Sequence, residues 1–245
     1  VSAPVGSDSR KSIEQRGAPS LERLLRDPGY STLMSIARTR HLSRNRVVIS
    51  AGGKPESLYL LVSGLCTARQ VGSRGQELLL AYFCPGDFFG EMGLFPGIQS
   101  RSAMISTAAD STVLEIPYQQ FLELTRKYPS FWLELAGQLA TRLRTTNRRL
   151  AEMPVLHASD RVWQALADIA ANGGGSRTAE GRAIRITRQD LGKLAGCSRE
   201  LAGMVLRDLA IAGRIHARGQ TIVLLDHPVP SQQLPDSDPD LDSEN

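Results

Sequence analysis

Between Phe89 and Ser102 the chain reads FGEMGLFPGIQSRS, with a Gly-Glu pair at one end of a short apolar segment and an Arg-Ser pair at the other. Glu91 offers only acceptor oxygens and suits a sugar hydroxyl, whereas Arg101 carries a fork of donors and a fixed positive charge suited to a phosphate diester. Gly90 and Ser102 add backbone N–H groups where a missing or small side chain lets a ligand come close. Together these residues can hold a ribose phosphate. A Glu91–Arg101 surface ion pair is the plain alternative and would contribute little. The neighbours speak against it: Phe88, Phe89, Met92, Leu94 and Phe95 on one side and Ala103, Met104 and Ile105 on the other are apolar. An Arg in such surroundings calls for an anionic partner.

A second constellation lies far downstream. Thr187 is placed to cap a helix to Ala195, with Asp190 in its acidic first turn, and Gly196-Cys197 makes a tight turn to Ser198, the cap of a second helix. Two short helices joined in this way form a helix-turn-helix. Arg199 and Glu200 then stand in the first turn of the second helix, where Arg can bind guanine bidentately and Glu can accept from cytosine N4. An exposed, salt-bridged helix start is the bland alternative for this pair.

The elements that must position these residues are legible in outline. Leu21 to Arg26 and Thr32 to Ala37 read as short helices. Val47 to Ser50, Leu58 to Val62, Glu77 to Tyr82, Ala103 to Thr107 and Val113 to Ile116 read as strands, separated by Gly- and Pro-rich turns. Many short strands at this spacing predict a β-barrel or jelly roll. A cupin enzyme of similar architecture would need clustered metal ligands; the barrel region has no histidine, since His41 precedes it and His157 follows it. Tyr118 to Lys127 restores a helical pattern. A longer helix is predicted from Ser130 to Met153, with Trp132, Leu139, Thr146 and Met153 every seven residues and Leu135 and Leu150 widening the stripe. That face is predicted to be a dimer seam, interrupted by Arg142 and Arg149. Pro154 marks a hinge, Ala158 to Ala171 an amphipathic helix, Ala183 to Ile186 a strand, and Ile215 to Ala217 with Thr221 to Leu225 a wing hairpin.

With 245 residues and a net charge of +4, the chain holds six acidic residues and no Lys or Arg from position 226 onward, which leaves +10 on residues 1–225. A basic body fits nucleic acid. The Pro-rich acidic tail has too few apolar residues to fold. Cys66, Cys84 and Cys197 are odd in number and far apart, giving neither a disulfide framework nor a metal site. No segment reads as a membrane span or a secretion signal, so a cytoplasmic location is expected.

The cassette has the Gly-Glu-x-(Gly/Ala)-Leu-Phe…Arg-Ser form, and ITRQDLGKLAGCSRELAGMVLRDL has the helix-turn-helix form, of the cyclic AMP receptor protein (CRP/FNR) family of bacterial transcription regulators, which the chain resembles over about residues 20–225. The resemblance implies an α+β fold: a flexible leader (1–19), a cyclic-nucleotide-binding β-jelly-roll barrel (20–128), a dimerisation helix (129–154), a winged helix-turn-helix (155–227) and a disordered acidic tail (228–245). It implies a homodimer without enzymatic activity that binds double-stranded DNA at a palindromic TGTGA-like operator and contacts RNA polymerase. The ligand set it implies is Gly90, Glu91, Arg101 and Ser102 in the barrel, with Arg142, Thr146 and Asn147 on the long helix; Asn147 departs from the usual Ser. The DNA-facing set is Thr187, Arg188, Gln189, Ser198, Arg199, Glu200, Arg207 and Arg218. Met204 replaces the usual Arg and cannot donate, so tolerance is expected at the base pair it faces. Cyclic AMP is the implied effector, with another cyclic nucleotide, cyclic di-GMP, or a ligand-independent architectural role as alternatives. The iron–sulfur branch is disfavoured by the missing N-terminal cysteine cluster.

Overall fold

The computed structural model describes residues 20–71, 77–152 and 156–226. The predicted leader (1–19), the hinge at Pro154 with Met153, and the acidic tail (228–245) lie outside the described residues. Two short helices, α1 (Ser20–Leu25) and α2 (Tyr30–Ile36), precede eight strands: β1 (Arg38–Leu42), β2 (Val47–Ile49), β3 (Ser57–Ser63), β4 (Cys66–Val71), β5 (Glu77–Phe83), β6 (Phe88–Phe89), β7 (Met104–Thr107) and β8 (Ser111–Pro117). They form two four-stranded sheets, ordered β1-β8-β3-β6 and β2-β7-β4-β5, with antiparallel pairing throughout. The five strands read from sequence are present. β1, β4 and β6 were not legible as strands, and β1 carries His41, expected to precede the barrel, into its first sheet, with the ring Nδ1 3.1 Å from Thr112 Oγ1.

Strand β3 explains why its run LYLLV is almost continuously apolar. Tyr59 and Leu61 point into the barrel with Val48, Phe83, Phe89 and Val113, while Leu58 and Leu60 point out to a second core beneath the helices. Both faces are therefore covered, and period-two alternation is lost. β8 divides in the same way, with Val113 inward and Leu114 and Ile116 outward. The outer core is closed by α3 (Tyr118–Lys127) and the first half of α4 (Ser130–Glu152) through Phe121, Leu124, Phe131 and Leu135.

The predicted seam on α4 needs correction. Leu135 is 1% exposed, and Trp132 and Leu139 pack on the same outer core, with Trp132 edge-on to Phe121 at 5.7 Å. Their heptad spacing thus serves this chain's own barrel. A second heptad stripe faces outward: Leu133 (76% exposed) and Leu143 (62%), joined by exposed Ala136, Gly137, Ala140 and Asn147. Thr146 lies on the flank of Trp132 and Leu139.

Beyond α4, helix α5 (Ala158–Ala171) packs with α6 (Arg188–Ala195), α7 (Arg199–Ile211) and a four-stranded antiparallel sheet of β9 (Ser176–Arg177), β10 (Gly181–Arg185), β11 (Ile215–Arg218) and β12 (Thr221–Leu225), in the order β11-β12-β10-β9. Leu65 and Cys84 from the barrel join this core. Cys84 is wholly buried there, with burial pushing its thiol well up.

Candidate ligand site and nucleic-acid interface

Gly90 has φ +76° and opens a 3-10 turn over Glu91–Leu94. A Cβ at this position would lie 2.9 Å from Arg101 Nη1 and 3.0 Å from Ile49 Cδ1, both movable side-chain ends, so it is the left-handed backbone that calls for glycine. Arg101 is held at its own backbone, where its N–H donates to Gly53 O (2.9 Å) and its carbonyl accepts from Gly52 N–H (2.8 Å). Its guanidinium donates to Gly90 O (2.8 Å), Tyr118 Oη (2.8 Å) and Ser57 O (2.7 Å), and lies 5.8 and 5.7 Å from the ring centres of Tyr59 and Tyr118. Every one of these partners is neutral. Among the described residues no carboxylate stands within ion-pair distance of Arg101, so the predicted alternative of a Glu91–Arg101 pair is not formed.

Glu91 is 8% exposed, and the cation beside it is Arg142 of α4, 3.7 Å away. Arg142 also donates to Phe88 O, lies 3.9 Å from Asp87 and covers the Phe83 ring at 4.8 Å. One turn earlier on α4, Gln138 accepts from Phe88 N–H (2.8 Å) and donates to Gly86 O (2.8 Å). Two side chains four residues apart on α4 therefore satisfy the unpaired edge of β6, the strand that leads directly into Gly90-Glu91. Burial pushes the Asp87 carboxyl up, with the Arg142 charge and the Cys84 N–H acting against that rise. Ser102 is exposed next to Arg101. Thr146 and Asn147 are exposed one turn past Arg142, and neither makes a side-chain hydrogen bond among the described residues. The single chain thus gathers Gly90, Glu91, Arg101 and Arg142, and leaves Thr146 and Asn147 facing outward.

Sequence reading missed Tyr59, Asp87, Tyr118 and Gln138. Only Gln138 had a signal, its position one helical turn before Arg142.

In the second constellation the local reading is reproduced atom by atom. Thr187 Oγ1 accepts from Asp190 N–H (3.0 Å), and Ser198 Oγ accepts from Leu201 N–H (3.1 Å). Gly196 takes the left-handed conformation (φ 64°) that ends α6. The carbonyls at that end are capped by Arg161, whose Nε donates to Ala195 O (2.8 Å) and Nη2 to Gly196 O (3.2 Å), a contact with no sequence signal. Ala202, Val205, Leu206 and Leu209 form the buried face of α7, while Ser198, Arg199, Glu200 and Arg207 are exposed. Its own backbone N–H, and then the Ser198 hydroxyl, hold the Glu200 carboxyl below its usual range, so it is charged at the helix start. Arg188, Gln189 and Arg218 are also exposed, and Thr187 is half-buried.

Around the apolar contact of Leu65 and Cys84, polar contacts dock the helix-turn-helix unit on the barrel. Arg69 of β4 pairs with Asp190 (3.1 Å), Glu77 of β5 with Lys193 (3.1 Å), and Arg44 donates to Gln220 of the wing (2.6 Å). They border a cavity of about 360 Å³ that Gln189 and Thr187 also line. Arg44 Nε, Arg69 Nε and Tyr82 Oη are buried there without a hydrogen-bond partner among the described residues. Such orphaned donors weaken the docking.

A barrel and a long helix thus stand beside a winged helix-turn-helix whose second helix presents an exposed Arg-Glu start of the kind that enters a major groove. The family model for the cyclic nucleotide-binding domain matches residues 39–128. The chain is 35% identical over 198 residues to the cAMP-activated global transcriptional regulator CRP of Pasteurella multocida, over 81% of this chain and 95% of that protein. It is 34% identical over 195 residues to the cAMP-activated global transcriptional regulator Vfr of Pseudomonas aeruginosa, over 78% and 91%. A solved structure of the c-di-GMP-responsive global regulator CLP of Xanthomonas campestris is similar with a TM-score of 0.66 and 30% identity, over 81% of this chain and 99% of that one. The chain belongs to the CRP/FNR family of transcription regulators, and its relatives are regulators, not enzymes. No helix among the described residues is long and apolar enough to cross a membrane.

Proposed function

We propose that the protein is a homodimeric, DNA-binding transcription regulator controlled by a cyclic nucleotide, with cyclic AMP as effector. The observation that carries this reading is the guanidinium of Arg101, fixed by three neutral acceptors and lacking a carboxylate partner among the described residues, beside a buried Glu91 that is wired to α4 through Arg142. The phosphate diester would bind at Arg101 with the Gly90 and Ser102 backbone, and the ribose 2′-hydroxyl at Glu91. Two copies would pair along the outward stripe of Leu133, Ala140 and Leu143, which brings Thr146 and Asn147 near the base. A nucleotide that engages Glu91 changes what Arg142 meets, and α4 carries that change toward the reading head. Only a ligand that favours the active arrangement shifts the balance. The head is held to the barrel by a small apolar contact through Leu65 and Cys84 and by a rim of ion pairs and incompletely satisfied donors, a mixed interface of the kind that an element able to reorient requires.

Calorimetric titration of the purified chain with cyclic AMP, cyclic GMP and cyclic di-GMP tests the effector. Tight, selective binding of cyclic AMP is expected. Preference for cyclic di-GMP would favour the second reading, which the similarity to CLP supports, and binding of none would leave the architectural role. Asn147→Ala is expected to change the ratio of cyclic AMP to cyclic GMP affinity more than either phosphate-dependent affinity. Equal loss for both would remove Asn147 from the base site.

The operator is read as a palindrome of TGTGA-like half-sites roughly 34 Å apart. Arg188, Thr187, Gln189, Arg207 and Arg218 are assigned to the backbone. Arg188→Ala is expected to weaken all sequences alike and to flatten the salt dependence by about one unit of slope for each phosphate it no longer neutralises. Anisotropy titrations of specific and random duplexes at several salt concentrations measure both; a loss confined to the operator would assign Arg188 to base reading.

A further inference from the structure

Helix α7 exposes two large apolar side chains of its first half outside its buried face. Leu201 is 38% exposed and Met204 57%, one turn apart in the first half of the helix, the end that enters a groove. A lone exposed apolar residue is ordinary. Here two adjoin at i and i+3, with Glu200 and Arg207 one turn before and after Met204. Gly203 faces the other side of the helix, where the nearest atom to a Cβ built on it is Arg188 Cδ at 3.4 Å. The glycine therefore leaves room for the Arg188 stem on the Arg199 face of the helix, away from Leu201. The result is an apolar pair at the start of the helix, with the Glu200 carboxylate and the Arg207 guanidinium one turn to either side of Met204.

In the major groove thymine alone carries a methyl group; the other bases offer donors and acceptors. Leu201 and Met204 cannot satisfy those groups, and covering them would strand buried polar atoms. Against a thymine methyl the same side chains bury apolar surface, and the flexible thioether of Met204 adapts to its position. We propose that Leu201 and Met204 form an apolar reading surface that selects thymine by its C5-methyl group, next to the G·C pair read by Arg199 and Glu200. The inference rests on the DNA-binding reading above. It turns the expected tolerance at the base pair facing Met204 into a preference for T·A.

The test uses the full chain, with and without cyclic AMP, on the operator selected from a random pool. Each thymine of a half-site is replaced singly by deoxyuridine, which keeps every hydrogen-bonding group and removes only the methyl. One or two positions are expected at which this weakens binding about three- to fivefold, from the burial of one methyl group. The same replacement is expected to leave Leu201→Ala and Met204→Ala proteins nearly unaffected, each variant losing sensitivity at its own position. Placing 5-methylcytosine, paired with guanine, at such a position should recover part of the affinity lost with unmodified cytosine. Arg199→Ala should keep the methyl sensitivity. Equal methyl penalties in the wild-type and variant proteins, or none in either, would overturn the proposal and leave the apolar pair to DNA shape or to a protein partner. A wild-type chain that selects no sequence and binds no duplex would overturn the DNA-binding reading itself, and this one with it.

Discussion

Arg101→Ala is expected to lower cyclic-nucleotide affinity by well over tenfold, about 2 to 5 kcal/mol, the usual loss when a close charge pair is truncated. The size follows from how the charge is prepared. The guanidinium is already oriented by Gly90 O, Tyr118 Oη and Ser57 O and flanked by two tyrosine rings, so little ordering remains when a phosphate arrives. Its three partners are neutral and leave its charge for the ligand. The same bonds tie β3 to the turn after β6, so removing them should also lower stability, by about 1 kcal/mol for each. Arg101→Lys separates the two effects: it keeps the charge, loses the fork, and should fall between wild type and Arg101→Ala in affinity. Calorimetric titration paired with a thermal melt of each protein reads both quantities. Wild-type affinity in a folded Arg101→Ala protein would remove the cassette assignment.

The second large effect is expected at the other end of the molecule. Arg199→Ala should cost roughly 1 to 3 kcal/mol per half-site and relax base choice at one position. In a dimer on a palindrome the loss is felt twice. Arg199 is presented because the Ser198 cap and the turn at Gly196 start α7 just before it, and its side chain is exposed at that free end. Nothing in the packing depends on Arg199, so the variant should melt as wild type does. Selection of bound sequences by the variant is the measurement. An undiminished preference at every position of the half-site would show that Arg199 does not read a base.

The local features of this protein are set by sequence alone, because their physics is local. Thr187 and Ser198 cap because a hydroxyl three residues before an N–H can reach it, and Gly196 turns because the left-handed conformation favours glycine; all three could be read without a fold. The cassette was legible for the same reason, its residues being crowded into fourteen positions. β1 was illegible because RTRHL is an edge strand with mostly exposed side chains, and β6 because two residues show no period. What only the tertiary structure decided is which partner each charge has and which face of α4 is free. Glu91 meets Arg142, 51 residues away, and not Arg101. Tyr118 and Ser57 reach Arg101 only because β3 and β8 pair in register. On α4 two heptad stripes share one period, and periodicity cannot say which of them its own barrel will cover. The barrel takes Trp132, Leu135 and Leu139, and Leu133, Ala140 and Leu143 are left outward, because long-range packing of Phe88, Phe121 and Phe131 fixes the rotation of the helix.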